Sequence, residues 1–246
     1  MKKQLVITDL TRMQRGRVCV AGYDKDGQCI RPVLPPPGIS EQSLIADGKP
    51  VVFPFAVVEY DLLEHLPRPP HTEDHRYDPT AVRFVRRIAD QNRARVFEWS
   101  LFDNVSAIFE QPIQEDPGFY VRDGRGPRSL GTIRPQAILK AVYEPGPEGT
   151  WDYRLSFVDG ETALYRLKIV DLTWHYYCDS RRGSDHPPAQ IAAELTTVLK
   201  SSTVFLRIGL SRGWAKFPER CYLQITAIHT IPDYLEGRTF ADFAPK

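Results

Sequence analysis

Strict alternation of apolar and polar residues marks the segment WDYRLSFVDGETALYRLKIV at positions 151–170. A period of two indicates β-strands with one buried face, and the Asp159-Gly160 pair between the two runs indicates a hairpin. A two-residue loop would mix the apolar and polar faces, whereas a three-residue loop over 159–161 pairs Leu155 with Tyr165 and keeps the faces matched. We therefore predict the three-residue loop, with Gly160 or its neighbour in a left-handed conformation.

The same kind of pattern predicts strands on both sides of this hairpin. Lys3–Leu10 forms a first strand, and Arg17–Asp24 and Gln28–Leu34 form a second hairpin with a three-residue loop over 25–27. Val51–Leu63 is rich in β-branched and aromatic residues and predicts a buried strand. Further strands are predicted at 129–142, 204–210 and 221–227, and residues 174–177 are taken as the end of the central hairpin.

Helical spacing of apolar residues is confined to two segments. Thr80–Glu98 has apolar residues at positions 82, 85 and 88 with arginines around them, which predicts a solvated surface helix. Ala189–Lys200 has an apolar stripe at 191, 195 and 199 behind Pro188, which predicts a second helix. Ser100–Ile113 fits either a short helix or a strand.

The composition changes between the two halves at Gln114–Arg128, which is rich in glycine, proline and charge and predicts a domain boundary. Each half has a strand, a hairpin and a late helix. We predict a mainly β protein of two OB-like β-barrels with one or two helices each, covering residues 1–116 and 129–246. Antiparallel hairpins with few helices argue against a doubly wound α/β sheet.

The global composition excludes several classes of protein. The formal net charge is +1, so no strong overall field attracts nucleic acid or a membrane. No run approaches the roughly 20 apolar residues of a membrane span, and none of the four cysteines forms a CxxC pair. We expect reduced thiols, no membrane association and a cytoplasmic location.

A set of short strings, spread over nearly the whole chain, resembles a known family. The strings are RGRVCVAGYD with CIRPV, PPHTEDH, SLGTIRP, DLTWHYY, and RIGLSRGW with CYLQITAIHTIPDYL. Their order resembles the dual OB domain family of bacterial proteins. The resemblance implies two OB-type barrels and a role related to nucleic acid, and it implies no particular catalytic residues.

Arginines near aromatic residues are the candidate binding groups, since OB grooves hold single strands through cations on phosphates and aromatic rings on bases. We predict single-stranded DNA or RNA as the partner. The predicted nucleic-acid-binding residues are Arg17, Arg31, Arg134, Arg207, Arg212 and Trp214.

A second candidate site is the loop that contains His71, Glu73, Asp74 and His75. These residues could hold a metal for an enzyme acting on nucleotides or nucleic acid, or they could order the loop through hydrogen bonds. No other cluster supplies further ligands, so we predict no metal and no cofactor. Phosphate-binding loops and the G-x-S-x-G elbow are missing from the sequence, which argues against common hydrolases. A module that binds a protein partner is the third alternative.

Overall fold

The computed structural model describes residues 1–245, and at Trp99 the backbone alone. The chain forms two β-barrels that contact each other directly. The strands, in chain order, are β1 (Lys2–Arg12), β2 (Arg17–Tyr23), β3 (Cys29–Val33), β4 (Ile39–Ser40), β5 (Ile45–Ala46), β6 (Lys49–Pro50), β7 (Ala56–His65), β8 (Asp74–Tyr77), β9 (Arg83–Arg87), β10 (Leu101–Phe102), β11 (Gln114–Glu115), β12 (Phe119–Arg122), β13 (Leu130–Ile133), β14 (Ala137–Pro145), β15 (Trp151–Val158), β16 (Leu164–Ile169), β17 (Thr203–Leu210) and β18 (Arg220–Ile231).

Four α-helices accompany these strands, and short 3₁₀ turns make up the remaining helical segments. The helices are α1 (Arg93–Val96), α2 (Val105–Phe109), α3 (Leu172–Gly183) and α4 (Pro188–Ser201). The 3₁₀ turns are Gln14–Gly16, Glu41–Leu44, Pro79–Ala81, Asp90–Asn92, Glu98–Ser100, Pro147–Gly149 and Phe240–Asp242. None of the described helices is long and apolar enough to cross a bilayer.

The first barrel is closed and has five strands. Its order is β1-β2-β3-β8-β7, and β7 pairs back to β1. All neighbours are antiparallel except β3 and β8, which are parallel. β1 closes the barrel because its first half, Lys2–Val6, pairs with β7 while the rest, from Val6 onward, pairs with β2. This is the Greek-key arrangement of an OB-fold.

The second barrel repeats this order with a first strand that is broken in two. β14, β15, β16, β18 and β17 follow one another, and β16 and β18 are the parallel pair. β13 pairs with β17, while β14 pairs with β15. Arg134, Pro135 and Gln136 separate the two pieces, and proline has no N–H to donate to a ladder. The chain is therefore mainly β and contains two OB-type barrels.

The helix predicted at Ala189–Lys200 is confirmed as α4, with Ile191, Leu195 and Leu199 buried. The hairpin of β2 and β3 is confirmed as well, because Asp24 N donates to Gln28 O across the three-residue loop. The predicted division at 116–129 stays a prediction. β10 pairs with β13, and β12 pairs with β18, so strands from residues 101–122 extend the second sheet.

The central hairpin has the predicted faces but a register shifted by two residues. Leu155 pairs with Leu167, and Phe157 pairs with Tyr165. The three-residue loop covers 160–162, and Thr162, at φ 65°, takes the left-handed conformation. Asp159 sets this loop, because its Oδ1 accepts from the backbone N–H of residues 161 and 163 at 3.1 and 3.0 Å.

Two secondary-structure predictions are wrong. Thr80–Glu98 is not a helix, because β9 pairs with β7 and its arginines line an exposed edge, where charge is tolerated. Residues 174–177 do not end the central hairpin. They lie in α3, where the Asp171 side chain caps the helix by accepting from the N–H of Thr173 and Trp174.

Candidate nucleic-acid interface

The loop of residues 211–219 joins the fourth and fifth strands of the second barrel, β17 and β18. OB-folds commonly bind oligomers with this loop and with the outer face of their second and third strands. Trp214 projects from the loop with 60% of its surface exposed. Phe217 N donates to Trp214 O at 2.8 Å, and the two rings lie 6.1 Å apart at an angle of 62°. The loop therefore presents an open indole beside a second ring.

Gly213 is required where the two sides of this loop approach each other. A Cβ at Gly213 would lie 2.1 Å from the Pro218 carbonyl oxygen, far inside contact distance. Glycine permits this approach because it has no side chain. The position of Trp214 thus depends on the residue before it.

Cations accompany the rings on this part of the surface. The Arg220 guanidinium lies 4.4 Å from the Phe217 ring centre and 4.8 Å from that of Tyr120, and Lys216 Nζ lies 5.4 Å from Phe217. Tyr120 in turn packs at 5.8 Å from Tyr222. We call Trp214, Phe217, Tyr120 and Tyr222 the aromatic patch. Arg220 is paired with Asp116 and Glu219, so Lys216 carries the less compensated charge of the two.

The outer face of the central hairpin is basic. Arg154 pairs across the strands with Lys168, and Ser156 pairs with Arg166. On the neighbouring strand Lys140 pairs with Ser156. We call Lys140, Arg154, Arg166 and Lys168 the basic face. Arg154 has Asp152 at 2.6 Å, and Arg166 has Glu144 at 3.9 Å. Lys140 and Lys168 have no carboxylate partner in the described part of the chain.

The corresponding loop of the first barrel, residues 66–73, lies near the 211–219 loop. Arg68 forms an ion pair with Asp123 at 3.2 Å, and Asp123 N donates to Glu219 O at 2.9 Å. Arg212, with its side chain 56% exposed, forms an ion pair with the buried carboxylate of Asp74. The loops between the fourth and fifth strands of both barrels thus meet at one place.

Arg207 is not at the surface, contrary to the sequence-based expectation of a phosphate contact. Its side chain is fully buried between the barrels, where Nε donates to Asp9 Oδ2 at 2.9 Å. Nη1 donates to the hydroxyls of Tyr23 at 2.6 Å and Thr132 at 2.9 Å. Although burial disfavours the charged form, the Asp9 carboxylate holds the pKa of Arg207 above its ordinary value.

Arg31 requires the same correction. It is 5% exposed, and its Nε donates to Asp74 Oδ1 at 2.6 Å while Nη1 donates to Ser129 Oγ at 3.2 Å. A buried guanidinium with these partners holds the barrels together, since β3 and β8 of the first meet Ser129 of the second. Neither Arg31 nor Arg207 presents its charge to solvent.

The other predicted residues divide into two groups. Arg212 and Trp214 lie together in the 211–219 loop, as described above. Arg17 begins β2 and donates to the backbone oxygens of Gln14 and Pro37, both at 3.1 Å. Arg134 is exposed at the break in the first strand of the second barrel. The structure therefore joins only two of the six predicted residues into one candidate site.

The loop of residues 71–75 is ordered by hydrogen bonds of its side chains. Glu73 accepts from Ser129 N at 2.6 Å and from Ser129 Oγ at 2.9 Å, so its carboxylate is occupied. Burial, with the nearby charges of Arg31 and Arg212, lowers the pKa of His71 to about 3. No group of three or more histidine, cysteine or carboxylate side chains in the described residues is placed to hold a metal.

Several residues of the site escaped the sequence analysis. Arg154, Arg166 and Lys168 occupy the polar positions of the central hairpin, so its alternation already placed them on one outward face. Tyr222 likewise alternates with buried Cys221 and Leu223 on β18. The contact of Tyr120 with Arg220 has no local signal, because β12 and β18 are about a hundred residues apart in sequence.

Comparison with known proteins supports the architecture. Residues 3–228 match the family described as the dual OB-containing domain. No curated protein and no solved structure matches the chain. The match covers most of the chain and both barrels up to residue 228. The chain therefore belongs to the dual OB-containing domain family.

Proposed function

We propose that this protein binds single-stranded nucleic acid with the aromatic patch and the basic face of its second barrel. The observation that carries the proposal is Trp214, which is 60% exposed in the loop that OB-folds use for ligands. Large aromatic side chains are normally buried in part or whole. An open indole on a loop fixed by Gly213 provides a stacking surface for an unpaired base.

The ring and the charges supply different parts of the interaction. Stacking accepts any base, since every base has a flat face. Lys140, Arg166 and Lys168 lie on the outer face of the first three barrel strands. Their charges support phosphate contacts at this face as part of the proposal. Phosphate contacts contribute affinity that falls as salt rises. Because the net charge is only +1, the attraction is local to this face.

Single strands fit the site better than duplex does. Bases in a duplex are stacked on one another and expose only their edges in the grooves. Trp214 and Phe217 offer ring faces rather than donors and acceptors that could read base edges. Unpaired bases present their faces directly, so the aromatic patch favours a flexible strand.

The proposal is tested by fluorescence anisotropy with labelled single-stranded DNA, single-stranded RNA and duplex. Trp214→Ala should weaken binding of the preferred strand by about 5- to 150-fold, which corresponds to about 1–3 kcal/mol per stacked base. Phe84→Ala is the matched control. Phe84 lies on β9, which pairs with β7 of the first barrel, and is 38% exposed. Its removal should leave affinity within about twofold, since lone surface substitutions away from a site have small effects.

Two results would contradict the proposal. One is the lack of binding to any of the three ligands at about 50 mM salt, where phosphate contacts are strongest. The other is an equal loss of affinity in Trp214→Ala and Phe84→Ala. In either case the aromatic patch would be tested next as a surface for a protein partner.

A further inference from the structure

A small pocket lies at the junction of the barrels, distinct from the aromatic patch. It is lined by Phe55, by Arg87 of β9 and Arg93 of α1, and on the other side by Thr173 of α3 with Tyr234 and Arg238 after β18. Neither the basic face nor the 211–219 loop takes part in it. The pocket is therefore a candidate second site.

The polar groups without partners in this pocket can all donate a hydrogen bond. Thr173 is 2% exposed, and its hydroxyl has no hydrogen-bond partner among the described residues. Arg93 is 4% exposed, and its Nε–H is unpaired in the same part of the chain. The buried hydroxyl of Tyr234 has no partner in residues 1–245 as described. Buried polar groups are nearly always satisfied in native proteins, so a set of unpaired groups that can all donate favours a ligand with several acceptors.

The carboxylates of the pocket are already satisfied from within the protein. Asp233 accepts from Arg93 Nη1 at 2.6 Å and from the N–H of Leu235 and Gly237 at 3.1 and 2.9 Å. Asp171 accepts from the N–H of Thr173, Trp174 and Ile228. Burial raises the pKa of Asp171 to about 7, so this group is only partly charged at neutral pH. The acids therefore leave the unpaired donors to a ligand.

The rim of the pocket adds positive charge that carboxylates of the described chain neutralise only in part. Arg87 is exposed and has no carboxylate partner among the described residues, although its guanidinium lies 5.6 Å from the Phe53 ring centre. Arg238 donates to the Leu235 carbonyl and has Glu236, which is largely exposed, at 3.4 Å. Thr80–Glu98, which the sequence predicts to be a solvated helix, instead folds so that Arg87 and Arg93 face the junction.

We propose that this junction pocket binds a phosphate group, held by Arg87, Arg93 and Arg238 with the Thr173 hydroxyl. Phosphate offers acceptors on every side, and arginine is the side chain best matched to it. The phosphate belongs either to the free ion or to a mononucleotide. The inference does not depend on nucleic-acid binding at the second barrel, because the two sites share no residue.

Isothermal titration calorimetry of the full chain with inorganic phosphate, AMP and adenosine tests this proposal in phosphate-free buffer. Phosphate and AMP should bind and adenosine should not. Tighter binding of AMP than of phosphate would identify a nucleotide, and equal binding would identify the free ion. Arg87→Ala should weaken binding about tenfold or more, the size expected for a charge-assisted hydrogen bond.

Arg86→Ala is the matched control, because Arg86 precedes Arg87 on the same exposed strand and does not line the pocket. It should change phosphate affinity by less than about twofold. Thr173→Val removes only the hydroxyl and should weaken binding severalfold, by about the value of one hydrogen bond.

The proposal is overturned if the wild-type protein binds neither phosphate nor AMP at millimolar concentration. It is also overturned if Arg86→Ala and Arg87→Ala lose the same affinity, since that would be a diffuse charge effect. Fluorescence anisotropy with a labelled oligonucleotide distinguishes failure of the junction pocket from failure of the second-barrel site. In that assay, Arg87→Ala should bind the oligonucleotide like the wild type, whereas Trp214→Ala should bind it more weakly.

Discussion

Two groups of arginines in this chain have the same chemistry and opposite surroundings. At the junction between the barrels, Arg207 is fully buried against Asp9, Tyr23 and Thr132, and every contact is made within the protein. In the 211–219 loop, Arg212 is more than half exposed beside an open tryptophan. The first arrangement holds two barrels together, whereas the second leaves an open indole beside a guanidinium that is paired with Asp74 but still partly exposed. The two arginines differ in solvent exposure and in the number of their hydrogen-bond partners, not in residue type.

The largest effect should come from breaking the junction. Arg207→Met leaves the Asp9 carboxylate buried without its cation, so we expect a loss of about 3–5 kcal/mol in the free energy of unfolding. Urea denaturation followed by tryptophan fluorescence measures it. Arg86→Met, at an exposed position, should change stability by less than about 0.5 kcal/mol.

Combining Arg207→Met with Asp9→Asn separates the effect of the buried charge from the effect of packing. The double variant should be more stable than the sum of the two single losses predicts, because it no longer buries an unpaired charge. Strict additivity, or a loss below about 1 kcal/mol for Arg207→Met, would show that the ion pair is not what holds the junction.

A smaller effect should follow from deforming the exposed loop. Gly213→Ala places a Cβ against the Pro218 carbonyl, so the loop must rearrange or absorb strain of about 1–3 kcal/mol. We expect strand binding to fall at least as much as in Trp214→Ala. Gly183→Ala is the matched control, since its Cβ would meet nothing within 4 Å. Unchanged binding in Gly213→Ala would mean that strand binding does not depend on the conformation of this loop.

The alternation of the central hairpin predicted its strands and faces but not its register. Asp159 takes the Val105 N–H with its second oxygen at 3.1 Å, and Gly160 packs against the Asp103 carbonyl. Both contacts come from a segment more than fifty residues earlier, which no local pattern can reveal. The same limit applies to β9, whose strand form depends on pairing with β7.

The candidate site was predictable only in part, because local patterns do not show contacts between distant segments. Trp214 and Arg212 stand in a short polar loop between two alternating strands, and that local signal was sufficient. Arg207 stands in TVFLRIGL, among apolar residues on both sides. A lone charge in such a run indicates a buried ion pair, but its partner Asp9 lies 198 residues away. Only the fold brings the two together.

The junction should also respond to pH. Burial lowers the pKa of His229 to about 4, and its Nε2 lies 2.9 Å from Thr8 O. Between about pH 6.5 and 4 the unfolded chain binds a proton that the folded chain does not, so stability falls as pH falls. The slope for this one group reaches about 1.4 kcal/mol per pH unit and vanishes above about pH 6.5.

His229→Phe keeps a ring against Phe97 and should reduce this slope, with unfolding measured in urea at pH 7, 6 and 5. His71 and His175, whose pKa values burial also lowers, continue to contribute in the variant. Asp171 acts in the opposite direction, because its raised pKa favours the folded state as pH falls from about 7. An unaltered slope in His229→Phe would mean that His229 is protonated in the folded protein.

The smallest effect should come from the basic face. Lys168→Ala removes one exposed cation that has no carboxylate partner in the described part of the chain. The slope of log affinity against log salt should therefore become shallower by about 0.7, the value for one phosphate contact on a single strand. Arg83→Ala is the control, because Arg83 is exposed on the first unit and paired with Glu59. Equal slopes for both variants and wild type would remove Lys168 from the site.

The position of β18 has a consequence for synthesis on the ribosome. β18 is the last strand of the chain, yet it pairs with β12, β16 and β17, and its Ile228 N–H and His229 contact Asp171 and Thr8. The five strands of the first barrel are all present once β8 has emerged, but its core also contains Leu172, Tyr176, Phe240 and Phe243, so it packs fully only when the rest has been made. The second barrel must wait until its final strand leaves the exit tunnel. For most of that interval, until β17 has emerged, Asp9 is present without Arg207, and the nascent chain carries two barrels that both lack residues of their cores.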